Sequence, residues 1–149
     1  MTIARRAEIE SLGFIDQVTV DNTAGTETVR QGMPVVYGTA GYIEATAATD
    51  EIEGVAYLSY ESAWPATAGK KIGIVRLGSP CVVPVRVAAA GCTVRAIVVP
   101  ASGGVVDTAA RTAPGTTLAN AVGRAMATGV SGDLVGCYLG ENRAFHTGT

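Results

Sequence analysis

The chain has 149 residues and carries 11 basic against 13 acidic side chains, so its net charge is −2, which gives no electrostatic case for nucleic acid. Hydrophobic residues make up 48% but aromatics only 5%, which requires a core of Val, Ile, Leu and Ala. Charged residues, at 16%, are few for a free monomer: either the surface is rich in Thr, Ser and Gly, or part of it is buried against other chains.

Residues 1–13 stand apart. Arg5, Arg6, Glu8 and Glu10 place four charges in a short stretch, with Ile9 and Leu12 at i and i+3. The segment reads as a short amphipathic turn or as an extended arm. Fully extended, it reaches roughly 40 Å, enough to contact a neighbouring subunit through Ile9, Leu12 and Phe14, with Arg5 and Arg6 forked onto carboxylates. Strands follow over Phe14 to Val20, Met33 to Tyr37, Tyr42 to Glu44, Ile52 to Tyr60, Lys70 to Leu77, Cys81 to Val87, Cys92 to Val99 and Val105 to Thr108. Turn clusters such as Asp21 to Gly25 and Gly38 to Gly41 punctuate them. Trp64 lies in a loop beside Pro65. Thr117 to Val122 is the one place with room for a short helix.

The stretch from Ala119 to Gly140 reads as a terminal hairpin that closes a sheet. Its first strand holds Val122-Gly123-Arg124-Ala125-Met126, which Ile52-Glu53-Gly54-Val55-Ala56-Tyr57 echoes to within one position; no further repeat is legible. Short strands about every 8–12 residues predict an all-β fold. We expect a small β-barrel or tulip-like sandwich of antiparallel strands, with an arm at 1–13, one barrel domain at 14–140 and a polar tail at 141–149.

Nothing in the pattern carries catalysis. His146 is the only histidine and sits near the chain end, so no base is held beside a serine or cysteine. Cys81, Cys92 and Cys137 form no CxxC and read as reduced, buried thiols. Asp50, Glu51 and Glu53 lack the ligand spacing of a calcium loop and read as a solvated turn. No phosphate-loop motif occurs. We therefore expect no catalytic residue, no cofactor and no metal. Lys70, Lys71 and Arg76 form the one local basic cluster, read as a solvated strand edge or as a contact with an acidic protein surface. No signal peptide, membrane span or lipidation motif is legible.

The order Gln31-Gly32-Met33-Pro34-Val35-Val36-Tyr37, Ile52-Glu53-Gly54-Val55-Ala56, Pro84-Val85-Arg86-Val87, Ala90-Gly91-Cys92-Thr93-Val94, Ala121-Val122-Gly123-Arg124-Ala125 and Ser131-Gly132-Asp133-Leu134-Val135 resembles the capsid cement, or head decoration, proteins of tailed bacteriophages. Gly91-Cys92 stands where that family often has Gly-Asp. The resemblance implies a β-barrel or tulip-like domain that assembles as a trimer, less often a dimer. It would bind the outer surface of an expanded head between capsomers of the major capsid protein, without touching nucleic acid or membrane. The chain would be made in the host bacterial cytoplasm and end in the virion. Candidate contact residues are Arg5, Arg6, Ile9, Leu12, Phe14, Trp64, Lys70 and Lys71. Two other readings compete. A glycan- or ligand-binding surface module would need exposed aromatics, of which the sequence has few. A trimeric nucleotide hydrolase of the dUTPase kind would need an Asp after Ala40-Gly41-Tyr42, where Ile43 stands.

Overall fold

The computed structural model describes residues 14–61, 63–107, 118–141 and 144–146. They form fourteen strands: β1 (Ile15–Thr19), β2 (Thr28–Val29), β3 (Pro34–Tyr37), β4 (Tyr42–Glu44), β5 (Gly54–Ser59), β6 (Ala66–Thr67), β7 (Lys71–Arg76), β8 (Val82–Arg86), β9 (Ile97–Ala101), β10 (Gly104–Asp107), β11 (Leu118–Asn120), β12 (Gly123–Ala125), β13 (Leu134–Tyr138) and β14 (Ala144–His146). The all-β expectation holds. Closure into a barrel does not. There are two five-stranded sheets, ordered β1-β7-β5-β3-β4 and β10-β9-β12-β13-β8, and two ribbons, β2-β6 and β11-β14. Each five-stranded sheet curls until its edges meet at one isolated parallel bridge, Val20 to Tyr42 in the first and Val87 to Val105 in the second. A single bridge brings the edges together without a ladder between them.

The two sheets are the same object twice. Reading the second backwards gives β8-β13-β12-β9-β10, which has the connectivity of β1-β7-β5-β3-β4 strand for strand. The registers coincide. Asp16 faces Ile74 and Ala56 faces Ile74; Val83 faces Cys137 and Ala125 faces Cys137. Pro34 faces Val55 as Ile97 faces Arg124. Loop hydrogen bonds repeat as well. Gly69 N–H donates to the Val20 carbonyl and Gly132 N–H to the Val87 carbonyl, at 3.0 and 2.8 Å. The Arg30 N–H donates to the Glu44 carboxylate and the Thr93 N–H to the Asp107 carboxylate, both at 2.8 Å. We call residues 14–77 unit 1 and residues 81–140 unit 2. The echo between Gly54-Val55-Ala56 and Gly123-Arg124-Ala125 is the visible part of this duplication: both segments are the middle strand of their sheet.

Inside the curl of unit 1, Val20, Val29, Val35, Ala56, Ile72 and Ile74 pack together, with Trp64 partly buried against them. Val55 and Val75 point to the outer side of the same sheet. They join the core of unit 2, which contains Val83, Val85, Val98, Val105, Val122, Val135, Cys137 and Leu139. Strands β5 and β7 are thus buried on both faces, which is why they read as continuous apolar runs rather than alternating ones. Phe14, Ile15, Ile52 and Leu77 pack against the same shared core. All three cysteines are free and buried, and burial pushes each thiol up from its ordinary value, Cys137 most strongly.

Several local expectations change. The β12–β13 pair is antiparallel as expected but lies in the interior of its sheet instead of closing it. The strand expected from Cys92 begins only at Ile97, because Val94 and Arg95 form a turn in which Arg95 has φ of 70°. Its counterpart in unit 1 is Gly32, with φ of 80°. Leu118–Asn120, in the stretch with room for a short helix, is a strand paired with β14, which lies inside the segment expected to be a polar tail. Asn120 also donates to the carbonyls of Thr49 and Asp50, tying this ribbon to unit 1.

Candidate interaction site

The described polar chemistry concentrates at the open mouth of unit 1. Three strands deliver it. Asp16 comes from β1, Arg76 from the end of β7, and Glu53 immediately precedes β5. Arg76 Nε donates to Asp16 at 2.7 Å, and its Nη1 donates to Glu53 at 2.8 Å and to the Tyr42 hydroxyl at 3.2 Å. The Tyr42 hydroxyl in turn donates to Glu53. Arg76 lies over the Tyr42 ring at 5.8 Å, and Tyr37 meets Tyr42 edge-on at 5.4 Å. The charged members are half-exposed, at 49% for Asp16, 40% for Glu53 and 41% for Arg76, and Tyr37 is 57% exposed. The bond from Asp16, with those from Tyr42 and Glu53, raises the Arg76 guanidinium above its ordinary value. The Tyr42 hydroxyl and then Arg76 hold Glu53 low, whereas burial and the Glu53 bond raise Tyr42. The site is therefore a fixed charge pattern, with two carboxylates against one guanidinium.

Asp21 holds the turn beside it. Its carboxylate accepts the N–H groups of Thr23, Thr39 and Ala40, at 2.7, 2.7 and 3.0 Å. The Thr23 side chain and these N–H groups hold its carboxyl well below the usual carboxylate range. The turn that follows Tyr37 is thereby pinned by hydrogen bonds, which lowers the entropy lost when an exposed aromatic is engaged.

Of the residues picked from sequence, Arg5, Arg6, Ile9 and Leu12 lie outside the described residues. Phe14 packs against the shared core. Trp64 is partly buried in unit 1, Lys70 lies 3.9 Å from Glu61, and Lys71 is exposed opposite Thr19. The basic cluster does not form as expected. Lys71 and Arg76 sit at opposite ends of β7, about 16 Å apart at roughly 3.3 Å per residue, and Arg76 belongs to the mouth. The acidic trio separates too. Asp50 accepts the N–H groups of Thr46 and Ala47 and closes a turn, while Glu53 faces Arg76. No protein-family model matches the chain, and no curated protein matches it. Among the described residues no group of three or more His, Cys, Asp or Glu side chains is placed to hold a metal ion, and no helix is long and apolar enough to cross a membrane. The mouth escaped the sequence reading because its members are up to 60 residues apart and share no motif.

Asp21 and Glu53 set a pH dependence. Each carboxyl binds its proton less readily in the folded chain than at its ordinary values of 3.8 and 4.5. Their stabilisation is complete above those values and is lost as pH falls through and below them. Urea midpoints measured from about pH 6 to about pH 3 are expected to fall most steeply below about pH 4.5. Asp21→Asn should lower the midpoint at neutral pH and flatten that fall. A variant with the slope of the parent chain refutes the assignment to Asp21.

Proposed function

We propose that the protein is a structural capsid decoration protein, not an enzyme. On this reading it binds the outer surface of an expanded phage head between capsomers of the major capsid protein and stabilises the shell against internal pressure. It is made in the bacterial cytoplasm and ends in the virion as a homo-oligomer, with a trimer the expected form. The observation that carries the reading is the composition and rigidity of the unit 1 mouth. Tyr and Arg are enriched at protein–protein contacts and dominate their energies. Here Tyr37, Tyr42 and Arg76 are held in place by Asp16, Glu53 and the turn that Asp21 closes. The resemblance of the sequence to cement proteins supports it from a second side. Small contacts repeated over a shell act together through multivalency.

The test mixes purified protein with expanded heads and with precursor shells, then sediments both. Binding to expanded heads alone, with a higher temperature for genome release, is the expected result. Tyr37→Ala should weaken that binding on the order of tenfold. A protein that sediments with neither particle, and that is captured on a glycan array, favours the ligand-binding reading instead.

A further inference from the structure

The contact between the two units is head-to-tail. The outer side of unit 1, carrying Ile15, Val55 and Val75, enters the core of unit 2, where Val83, Val122 and Leu139 are buried. The equivalences of the duplication show what remains unfilled. Val83, Val122 and Leu139 correspond in unit 1 to Asp16, Glu53 and Arg76, the open mouth. Ile15, Val55 and Val75 correspond in unit 2 to Val82, Arg124 and Tyr138. Each chain thus ends in the two separate halves of the contact that it makes once within itself.

The two halves differ from the internal contact in one consistent way. Apolar residues give way to charge, at all three positions of the mouth and at one of the three on the outer side of unit 2. At the mouth, two carboxylates and one guanidinium leave a net charge of −1. On the outer side of unit 2, Arg124 stands where unit 1 has Val55. Beside it Tyr138 and Val82 are half-buried, and Met126 is 37% exposed. An all-apolar pair of faces would stick to any hydrophobic surface. A charged pair selects its own partner and its own register.

We propose that a second copy of this chain docks its unit 2 outer side, through Arg124, Tyr138 and Met126, against the unit 1 mouth of Asp16, Glu53, Tyr37 and Arg76. The contact is heterologous, so its repetition gives a closed ring or an open filament according to the rotation between copies, and the trimer of the proposed function selects the ring. A ring of three chains sets six similar five-stranded units around one axis.

A charge exchange tests this, read by native mass spectrometry and light scattering. The parent chain is expected to form one discrete ring. Arg124→Glu and Asp16→Arg, each alone, should weaken association on the order of tenfold or more and shift the mass toward the 15.1 kDa chain. The double variant, Arg124→Glu with Asp16→Arg, should restore the ring. Circular dichroism verifies folding, and Tyr37→Ala serves as a second mouth variant that leaves the Arg76 bonds intact. A parent chain that stays monomeric overturns the proposal, as do single variants that assemble like the parent. So does a double variant that fails to recover although folded. This contact uses the same mouth on which the head-binding reading rests, and the two are separated by readout: a ring that ignores heads leaves the contact standing, and monomers that bind heads refute the contact alone.

Discussion

Val122→Glu is expected to cost the folded state about 4 kcal/mol or more, whereas Glu53→Val costs within about 1 kcal/mol. The two positions are equivalent. Val122 N–H donates to the Val98 carbonyl at 2.8 Å and Glu53 N–H to the Val35 carbonyl at 2.9 Å. Their surroundings differ. Val122 is fully buried in the apolar core that also holds Val83, Val105 and Leu139. A carboxylate there must ionise without water or take up a proton, and either choice is unfavourable. Glu53 stands at the half-exposed mouth, where Arg76 keeps Asp16 as a partner after the substitution. Since a domain of this size has a stability of only about 5–15 kcal/mol, the first exchange removes much of it. Urea unfolding followed by circular dichroism gives both numbers. Equal losses at the two positions would contradict the duplication as a guide to environment.

Gly123→Ala is expected to destabilise by about 3 kcal/mol, a fall of roughly 6–12 °C in Tm. Gly54→Ala should follow it with a somewhat smaller loss. A Cβ on Gly123 would lie 2.1 Å from the Tyr138 carbonyl oxygen and 3.0 Å from the Cys137 sulfur. One on Gly54 would lie 2.6 Å from the Val75 carbonyl oxygen. In both units the obstacle is the backbone of a neighbouring strand, Tyr138 on β13 or Val75 on β7, and it yields only if the ladder separates. A Tm within about 2 °C of the parent at Gly123 would show that the strands part more easily than the close approach implies.

The strands were legible wherever one rule decided them. Pro34 opens β3 because it has no N–H to donate. Gly38 to Gly41 is a turn, and Lys71 to Arg76 is a strand because Ile72, Ile74 and Val75 need both faces covered. The duplication was not legible beyond one strand. Equivalent residues are offset by 67 between β1 and β8, by 63 between β7 and β13, and by 69 between β5 and β12. A search at one fixed period therefore loses the match at each change of loop length. The β9 start was misplaced for a related reason. Unit 1 marks its left-handed turn with Gly32, whereas unit 2 uses Arg95, which carries no turn signal in its side chain. The mouth was invisible because Asp16, Glu53 and Arg76 acquire meaning only when β1, β5 and β7 are set side by side.

The division into two units has a practical result for anyone who perturbs the molecule. The single tryptophan, Trp64, belongs to unit 1, and all three thiols, Cys81, Cys92 and Cys137, belong to unit 2. Tryptophan emission therefore watches one half of the chain, and the rate of thiol capture watches the other, with no residue replaced. Because Val55 and Val75 of unit 1 are packed into the core that holds the thiols, the halves should not open separately. Trp64 emission and cysteine accessibility should change at the same denaturant concentration, and any gap between the two curves would measure how far one half survives without the other.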